Sequence, residues 1–335
     1  MWVRSGNWFN VALNPSGVTV RMISQLAFVF PGQGSQSVGM LAELADAHPS
    51  IRDTFAEASD GAGVDLWQIS QENPDDRLNR TEFTQPALLA ANVALWRLWQ
   101  MQGGAQPAML SGHSLGEYAA LVAAGALGLA DGARLVRLRG QFMQDAVPAG
   151  TGAMAAVLGA EDAQVEAVCA DSSQDGSVVV PANYNSPGQI VIGGHAEAVD
   201  RAIAALQAAG IRKTVKLAVS VPSHTPLMRA AAERLQDAIL AAAWRAPERP
   251  VVHNVDAAVK TDVADIRRAL VEQLYLPVQW TRCTQALAAA GVRHAVECGP
   301  GKVLAGLVKR IDKSVSTYNL ASPADWQATL AQTFD

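Results

Sequence analysis

The sequence predicts an α/β fold: a mostly parallel sheet sheathed by helices and interrupted by a small βαββαβ unit. Three observations lead there. Short apolar runs alternate with helical patterns along most of the chain. A serine between two glycines stands where one such run passes into a helix. From residue 150 the rhythm changes to strand, helix, strand, strand, helix, strand within about 70 residues, the split-βαβ or ferredoxin-like order.

Residues 26–30 read as a buried strand because the apolar run has no polar break, and the glycine-rich turn Pro31-Gly32-Gln33-Gly34-Ser35-Gln36 closes it. Helical patterns follow at 38–47, 51–59 and 85–102. The last sets Leu88, Leu95 and Leu98 on one face, with Trp96 and Trp99 expected as core packing beside them. Residues 107–110 form the next strand, then 117–127 and 131–145 read as helices. After Pro148-Ala149-Gly150 come strand 153–158, helix 161–170, strands 177–182 and 189–192, helix 196–209 and strand 213–219. The larger pattern then resumes with helix 226–243, strand 251–254, helices to 290, strand 294–297 and helix 302–311. The expected organisation is therefore a core of 25–149 and 220–335 with 150–219 inserted. Residues 1–24, most of which precede Met22, are expected to be a disordered extension or to lie upstream of the true start, without a function.

Composition narrows the function classes. Half of the 335 residues are hydrophobic and 17% are charged, which excludes a disordered chain. A net charge of −5 gives no reason to expect nucleic acid. Cys169, Cys283 and Cys298 are odd in number and lack metal-ligand spacing, which points to a reducing cytoplasm without disulfides or a metal. No apolar run approaches the ~20 residues that cross a bilayer, so neither a membrane span nor a signal peptide is expected.

The chemistry centres on Gly112-His113-Ser114-Leu115-Gly116. Flanking glycines let the backbone turn sharply and lift the Ser114 hydroxyl above the sheet. The Leu115 N–H and the helix beginning there favour negative charge beside it. A serine hydroxyl needs a base. Of six histidines, His224 is the candidate, because it lies where the chain returns to the core and a helix begins. His113 is directed away by the elbow, His48 and His195 lie at helix ends, and His253 and His294 are expected to pack beside strands. No acid between Ser114 and His224 stands out to orient the base, and a backbone carbonyl serves that purpose equally. Arg139 can bind a carboxylate through two nitrogens, although such a helix arginine by itself reads as solvated. Ser37 breaks the dinucleotide fingerprint at Gly32–Gly34, so NAD binding is rejected, and Gly299-Pro300-Gly301-Lys302 lacks the spacing of a phosphate loop.

Several ordered motifs together resemble the malonyl-CoA:acyl carrier protein transacylases of type II fatty acid synthesis. They are Phe28-Val29-Phe30-Pro31-Gly32-Gln33-Gly34-Ser35-Gln36, Gly112-His113-Ser114-Leu115-Gly116-Glu117-Tyr118 and Arg139-Gly140-Gln141-Phe142-Met143-Gln144. Asn185-Ser186-Pro187-Gly188-Gln189, Pro222-Ser223-His224, Gln273-Leu274-Tyr275 with Pro277-Val278-Gln279-Trp280, and Gly299-Pro300-Gly301-Lys302 complete the set. The resemblance implies a hydrolase-like core with a ferredoxin-like insertion. It implies Ser114 as the acylated nucleophile, His224 as base and the Gln273 carbonyl orienting that base. It further implies the Gln33 and Leu115 N–H groups as oxyanion hole and Arg139 as the site for the malonyl carboxylate.

The implied partners are malonyl-CoA and holo-acyl carrier protein, with a CoA thioester as substrate and no tightly bound cofactor. The implied activity supplies malonyl-carrier for fatty acid biosynthesis. Alternatives are the transacylase of a malonate decarboxylase or polyketide pathway, or a thioesterase. For an acidic carrier the candidate docking residues are Arg212, Lys213 and Lys216, or Lys302, Lys309 and Arg310.

Overall fold

The computed structural model describes residues 11–13, 19–148, 150–219 and 221–334. Ten strands are described: β1 Val11–Leu13, β2 Thr19–Phe30, β3 Gln106–Gly112, β4 Gly152–Leu158, β5 Val179–Ser186, β6 Gln189–His195, β7 Lys213–Lys216, β8 Val251–Val252, β9 His294–Glu297 and β10 Ser316–Asn319. The larger sheet runs β10-β9-β2-β3-β8 with every pair parallel, and β1 adds to β2 antiparallel. The smaller sheet, β5-β6-β4-β7, is antiparallel throughout and carries helices Asp162–Ser172 and Ala196–Ala208, the ferredoxin-like order.

β2 shows why a continuous apolar run suits the sheet centre. Leu26, Phe28 and Phe30 enter one core with Trp96 and Trp99, while Ala27 and Val29 enter another with Trp280 and Leu304 on the opposite face. The two expected core tryptophans are buried, and Phe28 meets both edge-on at 5.3 and 5.4 Å. The two sheets join where β5 meets the loop before Trp280: Tyr184 N–H donates to the Val278 carbonyl and Val278 N–H to the Ala182 carbonyl, each at 2.9 Å.

The structure corrects several expected elements. Part of the 1–24 extension is strand rather than disordered. Thr19–Ser24 begin β2, and Val11–Leu13 pair with Thr19–Arg21. Residues 1–10 and 14–18 lie outside the described residues. The helix expected over 38–47 begins only at Ala42, since Gly39 and Leu41 are left-handed with φ of 80° and 62°. The elbow helix is Gly116–Ala123, ending before Gly125, whose φ is 72°. Strand 251–254 shrinks to β8 because His253 and Asn254 turn toward Glu117. Helix Leu66–Glu72, β10 and helix Pro323–Leu330 were not foreseen.

Candidate active site

Steric closeness explains the glycines around Ser114. A Cβ on Gly112 would overlap the Gly116 backbone, and one on Gly116 would overlap the Phe30 carbonyl. A Cβ on Gly32 would stand 2.5 Å from the His113 oxygen. The turn after β2 and the elbow after β3 are thus packed backbone against backbone, and no side chain fits between them. Ser114 itself is left-handed, with φ of 51°, a strained conformation for a non-glycine residue. Asn254 clamps it: Oδ1 accepts the Ser114 N–H and Nδ2 donates to the Gly112 carbonyl, both at 2.7 Å.

The six residues singled out from the sequence converge. His224 Nε2 lies 2.8 Å from Ser114 Oγ, and Nδ1 lies 2.7 Å from the Gln273 carbonyl oxygen. A carbonyl only accepts, so Nδ1 carries the hydrogen and Nε2 presents its lone pair to the serine hydroxyl. A main-chain carbonyl thus stands against Nδ1, where an acid was looked for in the sequence. Burial, reinforced by the Arg139 charge, lowers His224 to about 3, against the opposing Gln273 bond. The imidazole is consequently neutral at physiological pH, the form a base requires. His113 does not turn away from the site: it lines the same cleft and its charge acts on His224, but its Nε2 meets Asn185 Oδ1 at 2.8 Å.

Arg139 is not solvated, as its helical position alone suggested, but 2% exposed. Helix Leu129–Asp145 packs on helix Thr81–Met101, with Gly140 against the backbone of Thr81 and Glu82, which brings the guanidinium under the elbow. Its fork donates to Gln85 Oε1 at 2.7 Å, Gln273 Oε1 at 3.0 Å and Ser114 Oγ at 3.2 Å. Nε has no partner among the described residues, and the Tyr118 ring lies 5.9 Å away. A buried cation held only by neutral oxygens is poised for an anion, and burial lowers its pKa accordingly.

These groups open on a cleft of about 530 Å³ between the two sheets. Gln33, Ser114, Leu115, Arg139 and His224 line one side; Met154, Asn183 and Leu217 of the smaller sheet region line the other. The backbone N–H groups of Gln33 and Leu115 enter no backbone hydrogen bond among the described residues. The Gln33 side chain is anchored by Thr81 Oγ1 at 3.0 Å, which in turn accepts from Gln85 Nε2.

Sequence reasoning missed Gln85, Asn254, Glu117 and the Gln273 side chain as parts of this network. A lone glutamine inside the apolar stripe of a helix was the one local signal, at Gln85. Of the six basic docking candidates, all exposed, Lys216 pairs with Asp200, Lys302 with Asp325, and Arg310 donates to Gln189. Among the described residues no group of His, Cys, Asp or Glu is arranged to hold a metal, and no helix is long and apolar enough to cross a membrane. The three cysteines are free and buried.

Fold and site together define an acyltransferase, and the acyl transferase domain family matches residues 27–327. The malonyl CoA-acyl carrier protein transacylase of Salmonella typhimurium is 56% identical over 310 residues, covering 92% of this chain and all of the relative. That of Bacillus subtilis is 42% identical, covering 90% and 95%. The crystal structure of the Xanthomonas oryzae malonyl-CoA:acyl carrier protein transacylase superposes with a TM-score of 0.91 at 69% identity, covering 92% of this chain and 98% of its own. A malonyl-transacylase solved in complex with a type II polyketide acyl-carrier protein superposes at 0.89 with 49% identity, covering 91% and 99%. The chain belongs to the malonyl CoA-acyl carrier protein transacylase family.

Proposed function

We propose that this protein transfers the malonyl group of malonyl-CoA to the phosphopantetheine thiol of holo-acyl carrier protein, supplying malonyl-carrier for fatty acid biosynthesis. The observation that carries this reading is the buried Arg139, which meets no carboxylate among the described residues and lies 3.2 Å from the Ser114 hydroxyl. An acyl group bearing its own carboxylate satisfies that cation while presenting its thioester to the serine. The family and the names of its members agree with the reading, and a CoA thioester is the substrate class.

The reaction runs in two halves. His224 Nε2 takes the Ser114 proton as Oγ attacks the thioester carbon. Gln33 and Leu115 N–H groups hold the oxyanion, where losing one such donor typically costs about 3–4 kcal/mol of barrier. The CoA sulfur leaves with the proton returned by His224, and the malonyl ester remains on Ser114. The carrier thiol then attacks that ester by the same steps in reverse, with the Gln273 carbonyl holding the imidazole throughout. In this reading the core, 25–149 and 220–335, supplies the reacting groups and the inserted 150–219 walls the cleft. We place the activity in the cytoplasm on the strength of the free, buried cysteines.

The test follows transfer to purified holo-carrier from malonyl-CoA and from acetyl-CoA, with intact-mass detection of the acylated enzyme. Malonyl-carrier forming through a malonyl-enzyme, strongly preferred over the acetyl route, is expected. CoA release without an acceptor thiol would instead mark a thioesterase.

A further inference from the structure

Two opposite charges are buried beneath the elbow without touching. Glu117, three residues after the serine, is 0% exposed, and Arg139 is 2% exposed. Between them stands the Gln273 side chain. Its Oε1 accepts from Arg139 Nη2 at 3.0 Å; its Nε2 donates to Glu117 Oε2 at 2.9 Å and to the Ser114 carbonyl at 3.0 Å. Chemistry fixes this orientation, since a guanidinium only donates and a carbonyl only accepts. Glu117 is held in turn. Asn254 N–H donates to its Oε2 at 3.0 Å, and His253 Nδ1 lies 2.7 Å from its Oε1. His253 is fully buried, and its Nε2 has no partner among the described residues, so its ring serves only Glu117.

We propose that the Gln273 side chain is a spacer that denies Arg139 the protein's own carboxylate, leaving the guanidinium free for the carboxylate of a substrate. Glu117 is the positioning residue that sets the spacer's orientation. A buried arginine within reach of a glutamate pairs with it, often through both nitrogens, and a fork so filled has little left for a ligand. One amide solves both problems. Its oxygen faces the cation, its NH₂ faces the anion, and each charge is stabilised while the two stay apart. Gln273 then couples the halves of the site, because its main-chain carbonyl orients His224 and its side chain prepares Arg139. This inference rests on the malonyl-binding reading above and names what tunes that selectivity.

The test exchanges the two side chains. The double variant Glu117→Gln/Gln273→Glu keeps composition, net charge and one buried carboxylate, but moves that carboxylate onto Arg139. Acylation of wild type and variant by malonyl-CoA and by acetyl-CoA is followed by intact mass and steady-state kinetics. The expected result is a malonyl-over-acetyl preference lower by roughly tenfold or more, with a raised KM for malonyl-CoA. Should the exchange fail to fold, Gln273→Glu alone is read by the same ratio. An unchanged preference, or equal losses with both thioesters as a merely structural role produces, would overturn the spacer. Wild type that takes no malonyl group would sink the functional reading and the spacer with it; a selective wild type beside an equally selective variant sinks the spacer alone.

Discussion

Two strand–turn–helix crossings at the same edge of the parallel sheet treat their helix starts in opposite ways. After β9, Glu297 turns back onto helix Val303–Ile311. Its Oε1 accepts the Leu304 N–H at 3.1 Å and its Oε2 the Ala305 N–H at 2.7 Å. After β3, the Ser114 N–H goes to Asn254 Oδ1, but no side chain among the described residues caps helix Gly116–Ala123 at Leu115. The same contrast separates two arginines. Arg97 meets both oxygens of Glu57, at 2.6 and 3.1 Å, whereas among the described residues Arg139 donates only to neutral oxygens. Where the chain supplies the counter-group the contact serves the fold. Where it withholds one, beside the serine, the proposed function leaves the same physics for a substrate.

The sharpest way to break the contrast is Arg139→Ala. On the proposed reading, removing this buried charged donor should lower malonyl transfer by roughly 10²–10³-fold, with a smaller loss for acetyl. Equal losses would show that the guanidinium does not read the carboxylate. Steady-state transfer to the carrier with the two thioesters measures this.

A second effect lies in the pH profile. His224 is pushed down to about 3 from 6.5 by burial and the Arg139 charge, so the base stays unprotonated as pH falls. The rate constant for acylation by malonyl-CoA is expected to hold level from neutral pH to about pH 5. An acid limb at the ordinary histidine value would contradict the buried, Arg139-facing placement.

The smallest effect belongs to the filled helix start. Burial pushes Glu297 up to about 7 from 4.5, outweighing the backbone N–H bonds from Ala305, Leu304 and Val303. The sign follows from linkage. The folded state holds this proton more tightly than the unfolded one, so wild type loses stability as pH rises from 4.5 to 7. Glu297→Gln lacks that titration. It should cost about 1 kcal/mol in lost capping at the acid end, gain on wild type toward neutral pH, and leave acyl preference unchanged. Urea denaturation at the two ends of that range checks it.

How much was legible from the chain depended on the range of the interaction. The elbow announced itself because both glycines fall within one short motif, although only Gly112 answers to a local clash and Gly116 answers to the distant Phe30 carbonyl; His224 announced itself because it sits where two structural rhythms meet. Arg139 read as solvated from its helix alone, since the packing that buries it comes from Gly140 against another helix. Asn254, Glu117 and the Gln273 side chain act across 137 to 159 residues of sequence, so no local period marks them. The late start of helix Ala42–Ala47 depended on left-handed Leu41, a conformation that its residue type does not advertise. β10 escaped notice because it is four residues long at a sheet edge.

The most direct test is the mass of the enzyme after brief exposure to malonyl-CoA without carrier, followed by peptide mapping. One malonyl group on the peptide containing Ser114, absent from Ser114→Ala and discharged by holo-carrier, is the expected result. A malonyl group elsewhere, or undiminished labelling of Ser114→Ala, would contradict the account.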